Sequence, residues 1–342
     1  MKKWHIYISG LLTGIVFLAI IFYPFSNSFN QHKYSDDTPD NLTQTGKGQY
    51  EEYVWISCIS GQPMFVNHDH KALKQFAKDV GVKVTIEGPK DYDIAEQAAV
   101  IRQVIRRKPA GIMILGMERG LISAVNEAVE AGIPTITVDA DIVDSKRLAH
   151  VGSNWYNIGV KQAEAMVKLV GGKGKVAIMG IGNADNMQEG FNGFKSVIKD
   201  YPDIICLGEY DDMASVEEAK RITEELLATH PDIAGIAGFD VNSGPGIGAA
   251  IKQANMVGNV KVTCVDIEPE QLQLCKEGVV QKIIGQKREL FTYYGARLLY
   301  DYNHSKLTIS GNDRKNNISL IPYTVDTGLI EVGQNNVDDF LK

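Results

Sequence analysis

From Tyr53 onward, short runs rich in β-branched residues alternate with stretches of helical periodicity, and the same rhythm restarts after Gly152. This feature constrains the fold more than any other. Strand-like runs at 54–59, 82–86, 110–115 and 134–138 are separated by helical patterns at 68–80, 94–107 and 121–131. In the helix at 68–80, for instance, Leu73, Phe76, Ala77 and Val80 recur at the spacing of one helix face. The second round predicts helices over 163–170, 188–199, 216–229, 247–254 and 271–276, and strands over 175–179, 204–208, 233–237, 260–265 and 279–284. A helix over 288–303 and a last strand over 318–325 close the chain. Repeated βα units of this length require parallel sheets covered on both faces. Two rounds predict an α/β protein with two doubly wound parallel-sheet lobes and a cleft between them. The 342 residues suffice for two domains.

The N-terminus has a different character. Lys2 and Lys3 precede residues 6–25, which carry no charge. Twenty helical residues span about 30 Å, the thickness of the hydrocarbon core. A cleaved leader has a shorter apolar run and a small-x-small site, for which Ser26-Asn-Ser28 is a poor match. Residues 1–27 are therefore expected to form a single-pass transmembrane anchor, with the basic pair cytoplasmic and the remainder outside the cell membrane. No cysteine follows the apolar run, so the expected anchor is a helix and not a lipid. Residues 28–52, polar and without a clear period, are expected to be a flexible linker.

Charge and cysteines narrow the function. A net charge of −7 gives no footprint for nucleic acid and argues against an anionic ligand. The four cysteines have no metal-binding spacing and read as small buried residues, with one disulfide left open. No metal cluster or Ser-His-Asp set emerges from the seven histidines; His68 and His70 flank Asp69 at a solvated helix start. Gly244-Pro-Gly246-Ile-Gly-Ala249, with Asp266 beyond it, outlines a dinucleotide fingerprint. However, Asp240-Val-Asn-Ser separates the glycines from the strand they should follow directly. No cofactor, no catalytic residue and no enzymatic activity is expected.

In wound sheets, ligands sit beyond the carboxyl ends of the strands. Those ends hold Gln62, Met64 and Phe65, then Asp139 and Asp141, Gln188, Asp240, Asp266 and Gln286. Carboxylates accept from hydroxyls, amides supply donors, and Phe65 offers an apolar face, an inventory suited to a neutral polyol. For Asp139, Asp240 and Asp266 the alternative reading is a cap of the helix that follows.

The segments Lys108-Pro-Ala-Gly-Ile-Met-Ile, Ala131-Gly-Ile-Pro-Thr-Ile-Thr-Val-Asp139, Leu226-Leu-Ala-Thr-His-Pro-Asp-Ile233 and Val265-Asp266 resemble the ribose-type periplasmic sugar-binding proteins, which have the type I periplasmic binding fold. The resemblance implies a three-strand hinge with crossings near 152–154, 286–287 and 325–326. Lobe I would then comprise 53–153 plus 287–325, and lobe II 154–286 plus 326–342. The resemblance carries a polar-Pro-aromatic-aromatic turn onto Gln62-Pro63-Met64-Phe65, an Asp-Arg pair onto Asp139-Ala140 and a cleft arginine onto Gln188. Both family arginines are thus missing, with Asp141 placed to compensate for the first, and ribose itself is in doubt. Asp240, Asp266 and Gln286 match the remaining positions. An aromatic expected near 213 falls on Met213, and Trp155 and Tyr156 are candidates for the cleft wall or an interface. The organisation is also similar to the membrane-anchored xylose-sensing binding proteins of clostridia. That likeness implies a membrane sensor histidine kinase as partner and a pentose such as xylose as ligand. The alternative partner is the permease of an ABC sugar transporter.

Overall fold

A computed structural model describes residues 44–45, 49–313, 315–316 and 318–341. The expected anchor and most of the linker lie outside the described residues, among which no helix is long and apolar enough to cross a membrane. Inside the expected linker, Gln44 and Thr45 pair antiparallel with Tyr50 and Gln49.

Lobe I opens with β1 (Glu52–Ile56), α1 (Pro63–Asn67), α2 (Asp69–Val80) and β2 (Lys83–Glu87). It continues through α3 (Ile94–Arg107), β3 (Gly111–Ile114), α4 (Ile122–Glu130), β4 (Thr135–Asp139) and β5 (His150–Gly152). Lobe II is built from α5 (Trp155–Val170), β6 (Gly174–Gly180), α6 (Asp185–Ile198), β7 (Ile204–Asp211) and α7 (Val216–Thr229), then β8 (Ile233–Gly238), α8 (Ser243–Gln253), β9 (Lys261–Val265), α9 (Pro269–Lys276) and β10 (Lys282–Gln286). The chain then returns to lobe I with α10 (Arg288–His304) and β11 (Thr324–Asp326), and ends in lobe II with β12 (Leu329–Val332).

The two sheets have matching strand orders, β2-β1-β3-β4-β5-β11 and β7-β6-β8-β9-β10-β12. Every pairing in them is parallel except β10 with β12. Alternation along a strand buries both faces. Tyr53 and Trp55 enter one apolar cluster, while Val54 and Ile56 enter another beneath α3 and α4. The first cluster runs on through Met64, Phe65 and Met117 to Trp155, Met187 and Phe191 of lobe II. The inner walls of the two lobes therefore share one apolar seam.

Local chemistry explains the boundaries. The Asp93, Asn154 and Ser215 side chains each accept the backbone N–H three residues on, capping α3, α5 and α7. Each such cap contributes about 1 kcal/mol. The Asn154 cap starts α5 at Trp155, two turns before the helix expected at 163. α5 and α6 lie almost backbone to backbone: a Cβ on Gly193 would come 2.0 Å from the Tyr156 carbonyl oxygen. The expected last strand over 318–325 is instead β11 followed by β12. Between them Thr327 donates its N–H to the Gly152 carbonyl (2.9 Å), and Gly328 turns the chain at φ +74°. The chain passes between sheets at 153–154, at Lys287 and at 327–328.

Candidate functional site

The two sets of strand ends face one cleft enclosing about 520 Å³, its mouth included. From lobe I come Cys58, Gln62, Met64 and Phe65 after β1, Tyr92 before α3, Asp139 at the end of β4 and Arg288 at the start of α10. Lobe II contributes Trp155, Asn186, Asp240, Asn242, Asp266 and Gln286. Gln62 precedes α1, whose first residue is Pro63, and this turn of helix sets Met64 and Phe65 against the cleft.

Asp139 and Asp266 occupy equivalent places, each at the end of the fourth strand of its lobe in the shared order. Both have left-handed backbones, φ +69° and +68°. Non-glycine residues adopt that region at a cost, aspartate more readily than most. Arg288 is buried and acts on both aspartates. Its Nη2 donates to Asp139 Oδ2 (2.8 Å), its Nε donates to Asp69 Oδ2 (3.2 Å), and its guanidinium sits 4.9 Å above the Phe65 ring. Burial disfavours charge on Arg288, but Asp139, Asp69 and Asp266 outweigh it and hold the guanidinium protonated. Burial likewise pushes Asp69 up to about 7 and Asp266 up to about 6, Arg288 opposing both. Gln286 Nε2 donates to Asp266 Oδ1 at 3.0 Å.

Asp240 does two things. Its Oδ1 accepts from the Asn242 and Ser243 backbone at the start of α8, while Oδ2 is buried without a partner. Capping and cleft-lining readings therefore both apply to it. Behind it Asp212, hydrogen-bonded by Ser243 Oγ (2.6 Å), is pushed up by burial and by the neighbouring Asp240. Five cleft-lining side chains carry a buried polar atom without a protein partner: Asp139 Oδ1, Trp155 Nε1, Asn186 Oδ1, Asp240 Oδ2 and Gln286 Oε1.

Gln62, Met64, Phe65, Asp139, Asp240, Asp266 and Gln286 are brought together here; Asp141 and Gln188 are not. The Asp141 carboxylate pairs with the Arg147 guanidinium and the Thr137 hydroxyl, bracing the segment between β4 and β5. Gln188 donates to the Gly182 carbonyl (3.0 Å) and holds the loop before α6. Trp155 lines the cleft, whereas Tyr156 and Met213 are exposed. His68 and His70 are not the solvated pair expected. His68 is partly buried between carboxylates, and His70 is buried against Trp55. Arg288 and Asn186 follow strand ends in the sequence but are not among the expected site residues. Arg288 had a signal: a cation opening a helix opposes the helix dipole.

The glycines of the dinucleotide outline do not form a loop. Gly244 and Gly246 lie inside α8, and a Cβ on Gly246 would come 2.5 Å from Val216 O and Ala219 Cβ. Those glycines let α7 and α8 approach. Among the described residues, no acidic, histidine or cysteine cluster is arranged to hold a metal, and all four cysteines are free.

Two similar lobes with converging strand ends are the plan of a protein that closes on a small solute. Residues 53–306 match the periplasmic binding protein domain. The chain belongs to that family. Among relatives of this periplasmic binding protein is the D-apiose import binding protein of Paraburkholderia graminis, 28% identical over 218 residues, which are 62% of this chain and 69% of that one. The arabinose binding protein AraP from Geobacillus stearothermophilus superposes with a TM-score of 0.72 at 32% identity, over 85% of this chain and 99% of AraP. A chain of the XylFII–LytSN complex superposes with a TM-score of 0.72 at 27% identity, over 83% and 98%. The fold is that of the type I periplasmic binding proteins, as the sequence resemblance implied.

Proposed function

We propose that this protein is a membrane-anchored, extracytoplasmic binding protein that closes its lobes on a neutral monosaccharide and signals the closed state to a membrane sensor histidine kinase. The observation that carries the ligand class is the set of five unpartnered polar atoms in the cleft. A buried polar atom left without a partner costs about 1–3 kcal/mol, so such a wall is matched to a partner rich in hydroxyl groups. Four of the five are acceptors and one, Trp155 Nε1, is a donor; a hydroxyl serves either. Asp139, Asp240 and Asp266 around the single cleft guanidinium of Arg288 disfavour an anionic ligand. A pentose is favoured because relatives bind D-apiose and arabinose, and xylose because of the resemblance to xylose-sensing proteins.

Sugar held by both lobes favours the closed state by its differential affinity for the two states, and the partner reads that state. The charge-free run at 6–25 supports an anchor, and a structural relative seen in complex with LytSN supports a protein partner. The second reading, delivery of sugar to an ABC permease, draws support from the relative named for D-apiose import and from a structural relative described as a sugar ABC transporter. Calorimetry against pentoses and hexoses tests the ligand. Asp266→Ala and Gln286→Ala should each weaken binding at least tenfold, and unchanged affinity in both variants would remove these residues from the site. Co-purification from membranes separates the roles: a kinase supports sensing, whereas a permease and ATPase without a kinase support transport.

A further inference from the structure

His68, between α1 and α2, reaches across from lobe I to lobe II. Its Nε2 lies 2.7 Å from Glu268 Oε1, just before α9, and its Nδ1 lies 2.7 Å from Glu289 Oε1 in the first turn of α10. A neutral imidazole has one N–H, and only the imidazolium can donate to two carboxylates at once. We propose that His68 is a proton-dependent latch of the closed cleft, whose imidazolium ties lobe I to Glu268 of lobe II and so couples solute affinity to pH. All three members adjoin the site. His68 precedes Asp69, Glu289 follows Arg288, and Glu268 lies two residues beyond Asp266. The effect on affinity rests on the proposed sugar reading; the proton-dependent contact does not.

The charged groups that act on the ring are Glu268 before α9, Glu289 on α10 and Asp69 on α2. The His68 and Glu268 side chains are 20% and 11% exposed, whereas Glu289 is 59% exposed, so its attraction is the more screened. Glu268 is the larger influence and Glu289 the next; against the opposing effect of burial they raise His68 to about 9. Opening the cleft removes Glu268 and keeps Glu289, so the open state holds the proton less tightly. A pKa raised on closure means that closure takes up a proton. Its stabilisation is complete below the open-state pKa and is lost as pH rises through about 9. The other facing groups do not reverse this sign. Glu289 is held down to about 2 by His68, and Asp69, which ionises near 7, adds attraction for the imidazolium at higher pH.

The test needs no sugar for its first arm. In the full chain in detergent micelles, with 13C at histidine Cε1, the His68 resonance is assigned by its loss in His68→Gln. It should titrate near pH 9, and about one unit lower in Glu268→Gln. Titration near the ordinary 6.5, or the same value in both proteins, overturns the latch. In the second arm, calorimetry with L-arabinose and D-xylose should give about tenfold weaker binding at pH 10 than at pH 7, since one pKa unit of linkage is a factor of ten. Glu268→Gln should flatten that dependence. Equal affinity at both pH values overturns the latch. If the NMR result holds and neither sugar binds, the latch stands and the pentose reading fails.

Discussion

Arg288→Met is the most informative single change in the cleft. The side chain is buried, donates to Asp69 and Asp139, and is the positive charge nearest Asp266. Methionine approximates its volume, so packing against Phe65 and Phe291 is largely retained. The loss is electrostatic: three buried carboxylates are left without their counter-charge. Breaking a buried ion pair from one side costs about 3–5 kcal/mol. With roughly 2–4 °C per kcal/mol for domains of this size, the midpoint of unfolding should fall by about 10 °C at pH 8. The pH dependence carries the sharper test. Burial already holds Asp69 near 7 and Asp266 near 6 with Arg288 present. Without it both rise further, so lowering the pH to 5 neutralises them and relieves the penalty. The gap between wild type and variant, followed by tryptophan fluorescence on heating, should therefore be large at pH 8 and small at pH 5. Adding Asp69→Asn should recover part of the loss at pH 8. A gap of the same size at both pH values would mean that packing, not charge, is what Arg288 supplies.

Asp141→Ala should lower thermal stability by about 3–5 kcal/mol, because Arg147 is left buried and unpaired. Sugar affinity by calorimetry should stay within about threefold, since Asp141 braces a segment outside the cleft. Trp155→Phe removes the one unpartnered cleft donor and should weaken sugar binding about twofold to tenfold, the range of one neutral hydrogen bond. Gly193→Ala drives a Cβ into the Tyr156 carbonyl, where neither backbone can yield cheaply; a loss of at least about 2 kcal/mol is expected in thermal unfolding.

Much of the fold was legible because doubly wound sheets are buried on both faces and punctuated by amphipathic helices. The helices expected at 94–107 and 216–229 coincide with α3 and α7, where an Asp or Ser cap and a clear apolar face agree. Periodicity failed where another force set the element. The first turns of α5, Trp155-Tyr-Asn-Ile, are started by the Asn154 cap and by packing on α6, neither of which has a period. β12 is a four-residue edge strand specified by its antiparallel pairing with β10, a long-range contact that no local window contains.

The site divides along the same line. Side chains at strand ends, such as Asp139 and Gln286, or just beyond them, such as Asp240 and Asp266, can be read by counting to the end of each strand. Asp141 and Gln188 lie one or two residues from cleft-lining positions, but the chain turns there, and each is spent on its own loop. Arg288 shows the converse. It stands two residues beyond a strand end and no family position falls on it, yet it acts on both of the left-handed aspartates that the lobes contribute from equivalent strands. Two copies of one lobe bring two carboxylates to the same cleft, and like charges held close in a buried place raise each other's cost. The Arg288 guanidinium, at the start of α10 immediately after the chain crosses between lobes, offsets that cost for Asp139, Asp69 and Asp266. That position ties the charge balance of the cleft to the segment where the chain crosses between lobes.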